Sequence, residues 1–100
     1  MEQQAYSVSN NPVNKRFEVH IDDNYAFLEY RLHDGNIALM HTEVPDALGG
    51  KGIASALATF AFKYAKENNL PVLVYCPFVT TFLKRHPEYQ EQVIAKPANK

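Results

Sequence analysis

Residues 44–54 read VPDALGGKGIA and separate two parts of the chain whose hydrophobic residues recur with different periods. Before this stretch, apolar and polar residues alternate, which is typical of half-buried strands. After it, apolar residues recur at helical spacing from about residue 51 to residue 69. The order of strand, glycine-rich turn and long helix predicts that this loop joins a sheet to the main helix of the fold.

The residues before the loop predict an antiparallel meander of three strands. Apolar and polar residues alternate over residues 17–22 and again over residues 26–33. Asp22-Asp23-Asn24 and Asp34-Gly35 are turn-forming sequences that would join consecutive strands by short hairpins. The third strand, over residues 37–44, is apolar on both faces, which predicts a central position in the sheet.

The residues after the loop predict one βαβ unit and a second, shorter helix. An apolar strand at residues 71–75 follows the long helix, so it is expected to lie parallel to the third strand. Thr80 or Thr81 is the expected N-cap of the second helix, which ends near His86 because Pro87 follows. The predicted fold class is mixed α/β (α+β): the three-stranded meander, the βαβ unit and a short C-terminal helix.

A chain of 100 residues has room for one domain. Residues 1–15 are polar and contain the turn-forming run SNNP, so they are predicted to be a loose tail. Residues 16–90 would form the domain, and residues 91–100 a second polar tail. Phe62 points away from the apolar face of the long helix, and the sequence pattern does not account for it.

Composition excludes several classes of protein. The chain has 10 Lys and Arg against 11 Asp and Glu, a formal net charge of −1, whereas a general nucleic-acid-binding protein carries a basic excess. No stretch is long and apolar enough for a membrane span, and the polar residues after Met1 do not form a secretory signal. Cys76 is the only cysteine, which predicts a cytoplasmic protein without an intramolecular disulfide. No His or Cys cluster has the spacing of metal ligands, so no metal is expected.

The glycines at 49, 50 and 52 have two interpretations. The amino terminus of a helix presents unpaired N–H groups, and glycines let the backbone approach an anion such as a pyrophosphate. The alternative is an ordinary strand-to-helix turn with glycines for tight geometry. A Walker A loop fits poorly because Gly52 follows Lys51, and a dinucleotide-binding fold fits poorly because antiparallel strands precede the loop.

The order of meander, glycine loop, helix and strand resembles the acetyl-CoA-binding core of the GNAT superfamily of N-acetyltransferases. The pyrophosphate loop of that family has the pattern Gln/Arg-x-x-Gly-x-Gly/Ala; here Gly52 and Ala54 match its last two positions, and Gly49 departs from the first. The resemblance is closest to the short, single-domain members. It covers three blocks, HTEVP at residues 41–45, GKGIA at 50–54 and CPFV at 76–79 with KRHPEY at 84–89.

The resemblance implies that acetyl-CoA is bound as the acyl donor and that an amine accepts the acetyl group. The pantetheine would lie between the third strand and the strand after the long helix, beside Val44, with the thioester near Tyr75 and Cys76. The loop residues implied to bind CoA are Gly49, Gly50, Lys51, Gly52, Ile53 and Ala54. The acceptor is open among a small amine, a polyamine and a protein lysine.

Cys76, His41 and Glu43 are the candidate catalytic residues. Cys76 is either a thiol beside the acetyl group or a small buried hydrophobic residue. His41 and Glu43 share one face of the third strand, where either is a candidate base for the amine; alternatively they form a solvated, hydrogen-bonded pair. Lys84 belongs to a basic cluster with two interpretations. The cluster either approaches a CoA phosphate, or it lies at the carboxyl terminus of a helix because the helix dipole favours positive charge there.

Two other functions remain open at this point. The chain is too short for the extra helices that shape the acceptor pocket of longer family members, which also fits a CoA-binding or regulatory module without turnover. The third alternative is an interaction domain that keeps the fold without the ligand. If the side of the site from which the amine enters is open, it would fit a bulky acceptor. It would equally fit a homodimer in which the second copy completes the site.

Overall fold

The structure is a computed structural model that describes residues 6–94. It contains one five-stranded sheet in the order β1-β2-β3-β4-β5, with β5 parallel to β4 and the other pairs antiparallel. The predicted mixed α/β architecture, a meander followed by a βαβ unit, is confirmed. The strands are β1 Ser9–Asn11, β2 Arg16–Ile21, β3 Asn24–His33, β4 Asn36–Glu43 and β5 Val72–Val74. The helices are α1 Ile53–Glu67 and α2 Pro77–Arg85, with short 3-10 helices at Asp46–Leu48 and Pro87–Gln92.

The hairpins form at the predicted turns. Asp22 has φ 54°, and the next turn places Asp34 at 52° and Gly35 at 80°. Two consecutive left-handed residues make a tight turn whose twist matches that of the flanking strands. The connection between β2 and β3 therefore consists of Asp22 and Asp23 alone.

The amino-terminal prediction is wrong in part, because residues 9–11 form β1 at the edge of the sheet. Asn10 accepts a hydrogen bond from the Tyr30 hydroxyl at 2.7 Å, and Asn11 donates one to Glu18 at 3.1 Å. Hydrogen bonds of polar side chains hold this strand on the sheet. Its sequence therefore lacks the apolar periodicity from which strands are predicted. Residues 1–5 of the predicted tail lie outside the described residues.

The carboxyl-terminal segment also packs on the domain beyond the predicted boundary. Val93 forms an isolated parallel bridge with Val72, and the Ile94 amide donates to the Val72 carbonyl at 3.0 Å. Val93 and Ile94 thus lie against the outer edge of β5, and residues 95–100 lie outside the described residues.

Helix α1 is buried on two sides. Leu57 and Ala61 are fully buried in the core beneath the helix, as the periodicity predicted. Phe62 is fully buried as well, because it stacks on Phe82 of α2 at 6.1 Å and on Tyr89 at 5.2 Å between ring centroids. The carboxyl-terminal helices therefore explain the apolar residue that the single-face pattern left unexplained.

Helix α2 begins earlier than predicted. Cys76, not Thr80 or Thr81, is the N-cap, and Pro77 occupies the first turn. Proline suits this position because its fixed φ is helical and its missing N–H has no partner there in any helix. The strand therefore passes into the helix through Cys76 without an intervening loop.

A β-bulge in β4 reverses which face its side chains point to. Pairing runs from Tyr30 opposite Leu39 to Glu29 opposite His41, so Met40 is the extra residue. Thr42 consequently lies opposite Leu28 on the core face, whereas His41 lies on the other face of the sheet with Glu29. We call this second, largely exposed side the open face.

Leu32 is exposed, although alternation places it with the core residues of β3. It stands one residue before the end of β3, in the part of the hairpin where the surrounding residues 31–35 are also exposed. The buried face of the strand therefore ends before the strand does.

On the open face, Glu18 is only 8% exposed and is held by hydrogen bonds. Its carboxylate accepts from Asn11 at 3.1 Å and from His20 at 3.0 Å. Burial alone would raise the pKa of Glu18, but the hydrogen bonds from His20 and Asn11 and the charges of His20 and Arg16 together lower it below its usual value. The fold thus favours the ionised carboxylate, and β1 depends on it.

We expect Glu18→Gln to lower the free energy of unfolding by about 1.5–3 kcal/mol at pH 7, the contribution of hydrogen bonds to a charged group. A lowered pKa stabilises the fold above the usual value near 4.5 and loses that contribution as the pH falls through the folded value. The difference between variant and wild type, measured by urea denaturation, should therefore shrink below pH 4.5. Glu29→Gln, which removes a carboxylate without a described hydrogen bond, is the control and should lower the free energy of unfolding at pH 7 by less than Glu18→Gln does. A difference that persists unchanged in acid would contradict the assignment.

Candidate functional site

The loop between β4 and α1 uses glycine for its backbone conformation. Gly50 and Gly52 have φ 74° and 77°, both left-handed, and Gly52 is the N-cap of α1. A Cβ added to either would meet nothing within 4 Å, so the φ angles and not crowding require glycine. Upstream, the Gly49 amide donates to the Asp46 carbonyl at 3.0 Å and anchors the start of the loop.

The next amides of the loop are free to bind a ligand. The N–H groups of Gly50, Lys51 and Gly52 donate no hydrogen bond to another of the described residues. The first N–H groups of α1 follow directly and also lack partners within the helix. Amides gathered in this way at the positive end of a helix dipole form a site for an anion such as a phosphate.

A cavity of about 320 Å³ adjoins these amides. Its lining includes six of the predicted CoA-binding residues: Val44, Gly49, Gly50, Gly52, Ile53 and Ala54. Phe78 of α2 closes another side. The structure therefore brings most of the predicted binding residues to one place.

Lys51 lies at a second, larger cavity of about 740 Å³, which we call the outer cavity. The two cavities share Gly52 in their linings and so meet at the loop. Lys63 and His86 also line the outer cavity, together with the hydroxyls of Ser55 and Thr59. Cationic and hydroxyl groups on one surface suit a phosphorylated ligand.

Lys84 is not brought to the loop. It lines a separate cavity of about 400 Å³ with Thr80 and Gln90. Residues two apart on a helix point in different directions, and it is His86 that faces the outer cavity. Of the basic cluster, His86 therefore lines the outer cavity beside the loop, whereas Lys84 does not.

Strands β4 and β5 separate at their carboxyl ends. Their pairing ends at Leu39 opposite Val74. The amides of Tyr75 and Cys76 then both donate to the Leu39 carbonyl at 3.0 Å. Beyond this point β4 continues to Glu43 while the other chain segment turns into α2, so the two segments diverge, and we call the region between them the crevice. Ligands of open α/β sheets bind at such carboxyl ends.

Cys76 lies at the base of this crevice on the core side. The residue is 2% exposed, and its carbonyl accepts from the Thr80 amide at 3.2 Å as α2 begins. Its thiol Sγ lies 3.2 Å from Thr42 Oγ1 across the crevice. The backbone of Cys76 is thus held by both β4 and α2, and its thiol contacts Thr42.

His41 and Glu43 lie on the opposite side of β4, on the open face. His41 Nε2 donates to Glu43 Oε1 at 2.6 Å, and their side chains are 56% and 60% exposed. An ionised carboxylate can only accept, so a neutral His41 in this pair carries its lone pair on Nδ1. The prediction that the two share a face is confirmed, and the Met40 bulge decides which face it is.

Sequence reasoning did not single out three residues that the structure places at the site. Thr42 contacts Cys76, Lys63 lines the outer cavity, and the Tyr6 hydroxyl donates to the Lys51 carbonyl at 2.6 Å. An aromatic residue in an otherwise polar tail was the available signal for Tyr6. The other two need the three-dimensional arrangement.

Two further facts bear on the kind of site. Among the helices of residues 6–94, none combines the length and the apolar character that crossing a membrane requires. Within the same range, no three His, Cys, Asp or Glu side chains converge as metal ligands would.

Comparison with known proteins identifies the family. Residues 16–93 match the family model of the GCN5-related N-acetyltransferases (GNAT). Similar curated proteins, each called protein NATD1, include one from Bos taurus at 38% identity over 71 residues and one from Homo sapiens at 35% over 71 residues. Each of these alignments covers 69% of this chain and 59% of the relative. The zebrafish (Danio rerio) protein is 37% identical over 60 residues, 58% of this chain and 54% of its own. The chain thus spans little more than half the length of these relatives, and it belongs to the family of GCN5-related N-acetyltransferases.

Proposed function

We propose that the protein transfers an acetyl group from acetyl-CoA to an amine. The observation that carries this proposal is the set of free amides at Gly50–Gly52, which adjoin both cavities at the start of α1. Family membership supports an acyltransferase with acetyl-CoA as donor substrate. As the sole cysteine, with a buried and unpaired thiol, Cys76 fits a cytoplasmic location.

In this proposal the glycine loop holds the pyrophosphate of CoA through the amides of residues 50–54. Lys51, Lys63 and His86 line the outer cavity and would attract the remaining phosphate. The pantetheine would enter the crevice beyond Leu39, with the thioester between Cys76 on the core side and His41 on the open face.

The chemistry requires a neutral amine. Its nitrogen attacks the thioester carbonyl carbon, the C–N bond forms, the C–S bond breaks, and CoA leaves as a thiolate that takes up a proton. A lysine-like amine has a pKa near 10.4, so only about 1 in 2,500 molecules is neutral at pH 7. His41 would accept the amine proton at Nδ1, directly or through water, while Glu43 holds the ring from Nε2.

The acceptor would approach across the open face. His41 and Glu43 lie on that face, and Tyr75, the residue before Cys76, is 49% exposed. The two-residue turn between β2 and β3 contributes no cover to this face. The geometry admits a bulky amine, such as a lysine of a polypeptide, as well as a small one.

We expect Gly52→Ala to weaken CoA binding at least tenfold, because alanine disfavours the left-handed φ that aims the loop amides. Isothermal titration calorimetry would give the dissociation constant. Gly35→Ala is a matched control: Gly35 has φ 80° and equally open surroundings, but it lies in the β3–β4 turn. Both variants should lose about 1 kcal/mol of stability, and only Gly52→Ala should lose affinity. Equal CoA affinity in the two variants would refute the assignment of the loop.

We expect His41→Ala to lower kcat by about 100-fold with an amine acceptor and to leave CoA affinity unchanged, the usual effect of losing a general base. Glu43→Gln should lower kcat less, since Glu43 orients the base. Release of the CoA thiol measures the rate. His33→Ala, which breaks a similar exposed pair with Asp34 at 3.1 Å, should have no effect. Wild-type turnover in both site variants would mean that solvent or another group takes the proton.

We expect oxidised CoA to modify Cys76 if the thiol lies beside the bound CoA sulfur. The thiolate attacks the disulfide, forming a protein–CoA disulfide and releasing one reduced CoA. Because the chain has one cysteine, intact-mass spectrometry reports this adduct directly, and Cys76→Ala must lack it. Glutathione disulfide offers the same chemistry without the CoA site and should react much more slowly with the buried thiol. Equal rates would place Cys76 away from the CoA sulfur.

A further inference from the structure

Tyr6 connects the segment before β1 to the glycine loop. Its hydroxyl donates to the carbonyl of Lys51 at 2.6 Å, a contact across 45 residues of sequence. Tyr6 is half-buried and packs against the edge of the core. The bond therefore joins a packed residue to the one carbonyl that lies between the two left-handed glycines, Gly50 and Gly52.

This bond restricts the direction of an amide at the site. A peptide unit is planar and trans, so the carbonyl of one residue and the N–H of the next point in opposite directions. Holding the Lys51 carbonyl towards Tyr6 turns the Gly52 N–H away from Tyr6. That N–H donates to no other described residue, and Gly52 lines both of the cavities that meet at the loop.

Tyr6 also forms a wall of the outer cavity. Tyr6 and Val8 line this cavity together with Lys51, Lys63 and His86. The cavity is about 740 Å³, enough for a nucleotide-sized group, and its cations favour a phosphorylated one. The residue that orients the amide thus also borders the space beside it.

We propose that Tyr6 is a positioning residue for the phosphates of CoA: it fixes the Lys51–Gly52 peptide so that the Gly52 amide faces the pyrophosphate. This inference rests on the proposed function, because it assumes that the loop binds CoA. Nothing in the loop sequence indicates it, since the tyrosine lies outside the loop.

The test compares wild type, Tyr6→Phe and Tyr25→Phe. Tyr6→Phe removes the hydroxyl and keeps the ring, and we expect the dissociation constant for CoA to rise about three- to tenfold, the effect of one net hydrogen bond. Tyr25→Phe removes a hydroxyl from the open face, where it accepts only a 3.4 Å contact from Arg16, and should bind CoA as wild type does. In ¹H–¹⁵N spectra without ligand, Tyr6→Phe should shift the Gly52 amide and its loop neighbours alone.

The outcomes separate the two proposals. If wild type does not bind CoA, the proposed function fails and this inference fails with it. If wild type binds and Tyr6→Phe binds equally well, only the role of Tyr6 is overturned. Weaker binding accompanied by shifts throughout the sheet, or an equal loss in Tyr25→Phe, also overturns it, because a general loosening of the fold would then explain the result.

Discussion

The carbonyl of Leu39 marks the point where β4 and β5 stop pairing, and the candidate site begins there. It accepts hydrogen bonds from both Tyr75 and Cys76, and it is the last point at which β4 and β5 are joined. On one side of it the strands pair as a sheet. On the other side β4 bulges at Met40 and the second segment turns into α2 at Pro77. The crevice and the place of Cys76 at its base follow from the end of pairing at Leu39. The exposed position of His41 follows from the bulge at Met40.

The bulge next to Leu39 places the polar side chains of β4 on two different faces of the sheet. Without the extra residue, strict alternation would point His41 and Glu43 to the same side as Ile37 and Leu39, into the core. With it, Thr42 turns inward to meet the thiol of Cys76 and the histidine–carboxylate pair turns outward. A group lying in the crevice would therefore have a buried, weakly polar neighbour on one side and a solvated, ionisable pair on the other.

The sequence predicted the elements whose stability comes from apolar periodicity or from turn residues. The meander, α1, the parallel β5 and the glycine loop belong to this class, and the loop residues were found because φ angles above zero leave a glycine signature. Elements held by polar bonds were missed. Strand β1 depends on Asn10 and Asn11, and Tyr6 acts through one hydroxyl, so neither has a periodic pattern. Lys84 lies at a separate cavity, a placement that depends on how α2 packs and not on a local sequence pattern.

The two-residue turn at Asp22-Asp23 has a kinetic consequence. A protein that closes a lid over its substrate keeps water out and must reopen before product leaves. The described part of this chain has no segment at that turn to close over the open face. In the proposed reaction, the acetylated amine would then leave without waiting for a segment at this turn to open. In the same proposed reaction, water would not be kept from the crevice by this turn, so selectivity for aminolysis over hydrolysis would come from the nucleophilicity of the amine and the position of the base.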